Sequence, residues 1–181
     1  MMAEETEFHK FKRHVESNSV VEMVLKAHLI IEDTLMETLK FLLPHPGHVK
    51  PETMSFYDKV SLCGALGFIS EYEVAALLTF NTLRNDTAHQ LDTEISMADI
   101  QQVVNCFEPE LRANLKHSPH DGNEIAVYLQ LIVGILYMQV LYIAAKPMMA
   151  NIDATDLAAK QQAIISVARE YGVELGIDPK H

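Results

Sequence analysis

Glycine and proline are scarce, seven of each in 181 residues, which excludes a collagen-like fibre and argues against a turn-rich β-sandwich. Cysteine is scarcer still. Cys63 and Cys106 stand far apart with no Cys-x-x-Cys, so a disulfide scaffold is excluded and a reducing compartment is expected. Basic residues are few: 14 Lys plus Arg against 25 Asp plus Glu, a formal net charge of −11. Such a chain does not coat nucleic acid electrostatically unless its cations are gathered in one place. The Gly-x-Gly-x-x-Gly and Gly-x-x-x-x-Gly-Lys-Ser/Thr patterns are both missing, so no dinucleotide or P-loop nucleotide is expected and no cofactor is assigned. The start, Met1-Met2-Ala3-Glu4-Glu5-Thr6-Glu7, lacks the basic-then-apolar order of a signal peptide, so a cytoplasmic protein is expected.

What remains includes many Ala, Leu, Met and Glu, which with Gln are residues that suit helices. Ser-x-x-acid sequences mark where those helices begin. In this pattern the serine hydroxyl accepts from an orphan amide and the acid reaches back to the serine amide. Ser19 and Glu22 open a long amphipathic helix to Pro44, with Val24, Leu25, Ala27, His28, Ile31, Leu35, Leu39 and Leu42 at helical spacing. Ser55 and Asp58 open a helix to about Leu66, where Gly67 can take the left-handed stop. Ser70 and Glu73 open the next, to about Gln90. Ser96 and Asp99 open another, expected to kink near Pro109 and end near His117. Asp121 or Asn123 caps a very apolar helix that stops before Pro147; Asp153 begins a last one, fraying after Gly172. A further short helix is expected within residues 4–17. No strand pattern and no internal repeat occurs. The expectation is an all-α, up-down bundle of six to seven helices in a single domain over residues 1–181.

The segment from Ile125 to Ala145 has 21 residues without a charge, long enough to cross a membrane. Gln130 and Gln139 fall on opposite sides of a helix, however, so neither face is clean hydrocarbon. A buried core or dimer-interface helix is the expectation, and membrane insertion is not.

The chemistry-bearing motif is Leu83-Arg84-Asn85-Asp86-Thr87-Ala88-His89. Asn85 and His89 are four apart and share one helix face, and Arg84 is close enough around the axis to swing toward it. A guanidinium grips phosphate bidentately and an imidazole exchanges protons near neutral pH. These are the parts needed to cleave RNA without a metal: one group moves the 2′-hydroxyl proton, another stabilises the phosphorane. The competing reading is a solvated patch near a helix end, with Arg84 paired to Asp86 or Glu73.

Arg84, Asn85 and His89 resemble the Arg-x4-His motif of the HEPN superfamily of small helical bundles, in which a polar residue follows the arginine. The stretches LKAHLIIEDTLMETLKFLL, SFYDKVSLCGALGFISEYEVAALLTFNTLRNDTAH and SMADIQQVVNCF are similar to the branch that contains mannitol-operon-repressor-like proteins. The resemblance covers about residues 17–107 as a HEPN-like core, with residues 108–176 as additional packing helices. It implies a metal-independent endoribonuclease acting as a homodimer and leaving a 2′,3′-cyclic phosphate, of the toxin or phage-defence kind. Arg84 would then hold the scissile phosphate, His89 serve as general base or acid, and Asn85 position His89 or the ribose. Asp86 and Thr87 are supporting candidates. The same resemblance implies an alternative: a non-catalytic regulatory protein that binds a protein partner.

Beyond the motif, Lys10, Lys12 and Arg13 form the one basic run, a weak candidate for gripping RNA and otherwise the solvated face of a helix. Leu62 to Leu77 has a helix-turn-helix outline, but Glu71 and Glu73 would face phosphates, which argues against direct DNA binding. His45-x-x-His48 and His117-x-x-His120 lack thiolate partners, so no metal is assigned. His28, on an apolar helix face, reads as a hydrogen-bonded core residue, and both cysteines read as small buried hydrophobes.

Overall fold

A computed structural model describes residues 7–17, 19–89, 94–116 and 125–145. Their regular structure is entirely helical: α1 (Glu7–Val15), α2 (Val20–Leu42), α3 (Pro46–Val49), α4 (Phe56–Ala65), α5 (Glu71–His89), α6 (Met97–Asn105), α7 (Pro109–Lys116) and α8 (Ile125–Ala145), with a 3-10 turn over Pro51–Thr53.

Local chemistry sets most of these boundaries. The Ser55 hydroxyl accepts from the Asp58 amide at 3.1 Å while the Asp58 carboxylate accepts from the Ser55 amide at 3.4 Å. Ser96 and Asp99 repeat this reciprocal pair at 3.3 and 2.9 Å, and Ser70 and Glu73 at 3.3 and 2.7 Å. Each pair satisfies two amides that have no partner inside the helix. At the end of α4 the amide of Phe68 donates to the Cys63 carbonyl and that of Gly67 to the Gly64 carbonyl, both at 2.9 Å. That closure needs a left-handed residue, and Gly67 supplies it at φ 71°. The start of α2 differs from its sequence expectation. Ser19 accepts from the Glu22 amide, but the Glu22 carboxylate is taken by the Ser17 hydroxyl and by Lys26.

Packing centres on α8. Every residue from Leu131 to Tyr137 is buried, because α1, α2, α5 and α6 all pack on this helix. By length and composition α8 could cross a membrane, yet 61% of its most apolar stretch is buried inside the bundle. In the core around it α2 buries Met23, Val24, Ala27, Ile31, Leu35 and Leu39, and α1 buries Phe8, Phe11 and Val15. The Phe11 ring stacks on Tyr137 with centroids 4.2 Å apart. Helices α4 and α5 form a hairpin whose arms meet at Gly64 and Val74. Helix α6 returns along α5, bringing Cys106 within 3.3 Å of the Thr79 hydroxyl.

Two expectations need correction. The helix opened by Ser96 does not kink at Pro109: it ends at Asn105, and Pro109 is the first residue of a separate helix. Proline fits that place because its missing amide would have no intrahelical partner there. Arg112 seals the junction by donating to the Asn105 carbonyl at 3.0 Å. The count also differs from six to seven. Eight α-helices occur among the described residues, since the expected break after Pro44 contains the single-turn α3 and the helix opened by Ser96 is two, α6 and α7. Expectations for His117, Asp121, Asn123, Pro147 and the helix begun by Asp153 lie outside the described residues.

A Cβ on Gly64 would sit 2.8 Å from Val74 Cγ2, and valine is stiff in a helix. Overpacking of this kind costs about 1–3 kcal/mol, against about 1 kcal/mol gained in helix propensity. Gly64→Ala is therefore expected to lower the unfolding free energy in urea by about 1 kcal/mol. Combining it with Val74→Ala should cost less than the two single losses added together; strict additivity would show that the contact is not felt.

Candidate functional site

Helix α5 carries the motif. Its long apolar stretch fixes its inner face with Ala76, Leu77 and Phe80, all buried, so the polar residues of its last two turns have defined directions. Arg84 and Asn85 are both half-buried, and Arg84 Nη1 donates to Asn85 Oδ1 at 3.1 Å. The Arg84 Nε is buried and makes no hydrogen bond. No ion pair joins Arg84 to a described carboxylate, which sets aside the pairing with Asp86 or Glu73. Glu73 instead closes the cap of α5. Asp86 is exposed and lines a hollow toward α6 with Thr79, Thr82, Leu83, Asp99 and Gln102. Thr87 is buried, its hydroxyl donating back to the Leu83 carbonyl at 2.7 Å. The helix continues through His89, so position 89 lies one turn beyond Asn85 on the same face. The side chain of His89 lies outside the described residues.

Inward from Arg84 lies a polar group that the motif did not reveal. His28, 3% exposed, has its Nε2 at 2.9 Å from Asn81 Oδ1. Since that oxygen only accepts, the imidazole N–H is on Nε2. The ring packs on Phe56 with centroids 4.3 Å apart. Its Nδ1 is buried without a hydrogen bond, 3.9 Å from Glu32 Oε2. Glu32 is committed elsewhere: Lys59, 4% exposed, donates to Glu32 Oε1 and to the Met54 carbonyl, each at 2.8 Å. Burial holds the His28 pKa below its ordinary value; the Asn81 hydrogen bond opposes this, the Arg84 charge adds to it, Glu32 opposes it and Lys59 adds to it. The sequence expectation for His28 was sound, but its partners Asn81, Glu32 and Lys59 were missed. Asn81 had a local signal, being one turn before Asn85 on the same face of the helix.

Lys10, Lys12 and Arg13 stand on α1, which packs on α2 and α8; no hydrogen bond or ion pair connects them to Arg84. Lys10 and Arg13 are exposed while Phe8, Phe11 and Val15 turn inward, the pattern of an amphipathic helix. The rings of His45 and His48 lie 6.0 Å apart. No cluster of three or more His, Cys, Asp or Glu able to hold a metal occurs among the described residues. Cys63 is buried, its thiol pushed up to about 12 by desolvation, while Cys106 is only half-buried beside Thr79. No protein-family model matches the chain, and no curated protein or solved structure matches it significantly.

Two outcomes are expected from this geometry. Because the folded pKa of His28 is depressed, the unfolded chain binds more protons below about pH 6.5, and stability falls as pH drops through that value toward the folded pKa. The slope is at most about 1.4 kcal/mol per pH unit. Melting temperatures recorded across that window should show it in the wild type and lose it in His28→Gln. Lys59→Met, which leaves Glu32 without its cation, should destabilise by about 1–3 kcal/mol, less than a fully buried pair because Glu32 is part-exposed. Adding Glu32→Leu should recover most of that loss in urea unfolding, and a purely additive pair would contradict the coupling.

Proposed function

We propose that this protein is a metal-independent endoribonuclease of the HEPN type, acting as a homodimer, with Arg84, Asn85 and His89 as its reacting constellation. One observation carries the reading. Arg84 is half-buried and steered by Asn85, yet it pairs with no described carboxylate. A guanidinium so placed, with Nη1 on Asn85 and Nε buried, can still offer its terminal amino groups to a phosphodiester. The resemblance at the sequence level and the helical spacing of positions 85 and 89 support the same reading.

In this chemistry one imidazole takes the proton from the ribose 2′-hydroxyl, and the freed oxygen attacks phosphorus. The bond to the 5′-oxygen breaks, with that oxygen receiving a proton from a general acid. The products are a 2′,3′-cyclic phosphate and a 5′-hydroxyl, so atoms and charge balance without a metal. Arg84 stabilises the charge that builds on the non-bridging oxygens, and His89 of the two protomers supplies proton transfer. A net charge of −11 disfavours indiscriminate capture of RNA, so a structured or presented target fits better.

A second reading is a regulatory protein that binds a protein partner; the exposed apolar side chains of Leu29 (59%) and Phe41 (63%) on α2 favour it. Incubation with total cellular RNA in EDTA separates the two. The wild type should give fragments with cyclic phosphate ends. Arg84→Ala should lower the rate about 10²–10³-fold, as for loss of a charge-stabilising donor. His89→Ala should lower it about 10²–10⁴-fold. No cleavage by the wild type, or cleavage indifferent to both substitutions, overturns the nuclease reading.

A further inference from the structure

We propose that His28 is a positioning residue for the Arg84 site: by occupying the carbonyl oxygen of Asn81, it keeps the Arg84 guanidinium on Asn85 and turned toward an incoming phosphate. The inference rests on the reading of Arg84 as a phosphate-binding group.

The argument starts from helix geometry. Asn81 lies three residues before Arg84 and four before Asn85, so the three side chains share one stripe of α5. Two amide oxygens on that stripe, those of Asn81 and Asn85, are therefore within reach of the same guanidinium. The structure divides them. Asn85 Oδ1 accepts from Arg84 Nη1 at 3.1 Å, and Asn81 Oδ1 accepts from His28 Nε2 at 2.9 Å. Both amides are part-buried, and Asn81 is the one held by the core histidine. Without the imidazole donor, the part-buried Asn81 oxygen would lose its protein partner, and the guanidinium on the same stripe of α5, whose Nε makes no hydrogen bond, is a donor that can take its place. Arg84 would then be drawn inward, off the phosphate.

The charges around the ring keep this arrangement. His28 faces Glu32 on its own helix, Lys59 on α4 and Arg84 on α5. Lys59 holds Glu32 Oε1 and no ion pair joins that carboxylate to Arg84, while its Oε2, 3.9 Å from His28 Nδ1, favours the charged ring less than burial opposes it. A neutral imidazole can donate to Asn81 without adding a second cation beside Arg84.

The test uses the full-length protein and reads the Arg84 Nε–H resonance by nitrogen-proton NMR while inorganic phosphate is added, with RNA cleavage measured in parallel. His28→Leu should displace the resonance and weaken the phosphate response about tenfold, the loss expected for one hydrogen bond to a charged group. His28→Gln, whose amide N–H reaches where Nε2 stood, should keep the response within about threefold. The double variant H28L/N81L removes the competing oxygen along with its donor, so the resonance and the response should return; a merely structural role for His28 would not be rescued by losing a second polar residue. If H28L is too unstable to study, the comparison of H28Q with H28L/N81L decides: both should retain the wild-type resonance. An unmoved resonance in H28L, or no recovery in the double variant, overturns the proposal. A wild type that neither answers to phosphate nor cleaves RNA overturns the reading of the site instead, and the position of the Arg84 resonance across the variants still decides the role of His28.

Discussion

Helix α8 has 21 residues and no charge, so water must be kept from it on nearly every side. That single requirement organises the rest. Among the described residues four helices, α1, α2, α5 and α6, pack on it and turn apolar side chains inward. The stripe of α2 runs from Met23 to Leu39 and includes His28. Once α2 and α5 are fixed by their apolar residues, the polar side chains at their contact have no choice but to face one another.

This explains how a polar cluster persists inside a hydrophobic bundle. A buried lysine is costly unless its ammonium is satisfied, and Lys59 reaches both a carboxylate and a carbonyl. A buried histidine is tolerable when neutral, and His28 donates to an amide oxygen while desolvation disfavours its charged form. Arg84 is the exception, a part-buried cation that pairs with no carboxylate among the described residues. The apolar scaffold and the candidate chemistry are thus linked: the helices set by burial are those that hold Arg84 on one side of α5 and Asp86 on the other.

Features set by neighbouring residues were legible in the sequence. The reciprocal caps at Ser55, Ser70 and Ser96, and the left-handed Gly67, depend on chemistry within a few positions. Features set across the fold were not. Asn81 lies 53 residues from His28, and Lys59 lies 27 from Glu32, so no spacing rule joins them. The junction at Pro109 failed for a related reason. Proline inside a periodic run signals a kink, and because Phe107 and Leu111 are four apart the apolar spacing runs on across the break between α6 and α7 and conceals it. In the motif itself, the adjacency of Arg84 and Asn85 was readable, whereas the direction of the guanidinium depended on what α2 placed opposite it.

The pairing of Phe11 with Tyr137 has an optical consequence. The chain contains no tryptophan and six tyrosines. Tyr137 lies only 5° from parallel to the phenyl ring of α1 and is buried, so its phenol is held in a fixed, asymmetric environment. Ordered phenols of this kind give near-ultraviolet circular dichroism that vanishes when packing loosens. The molecule thereby carries its own spectroscopic label for the docking of its first helix onto α8.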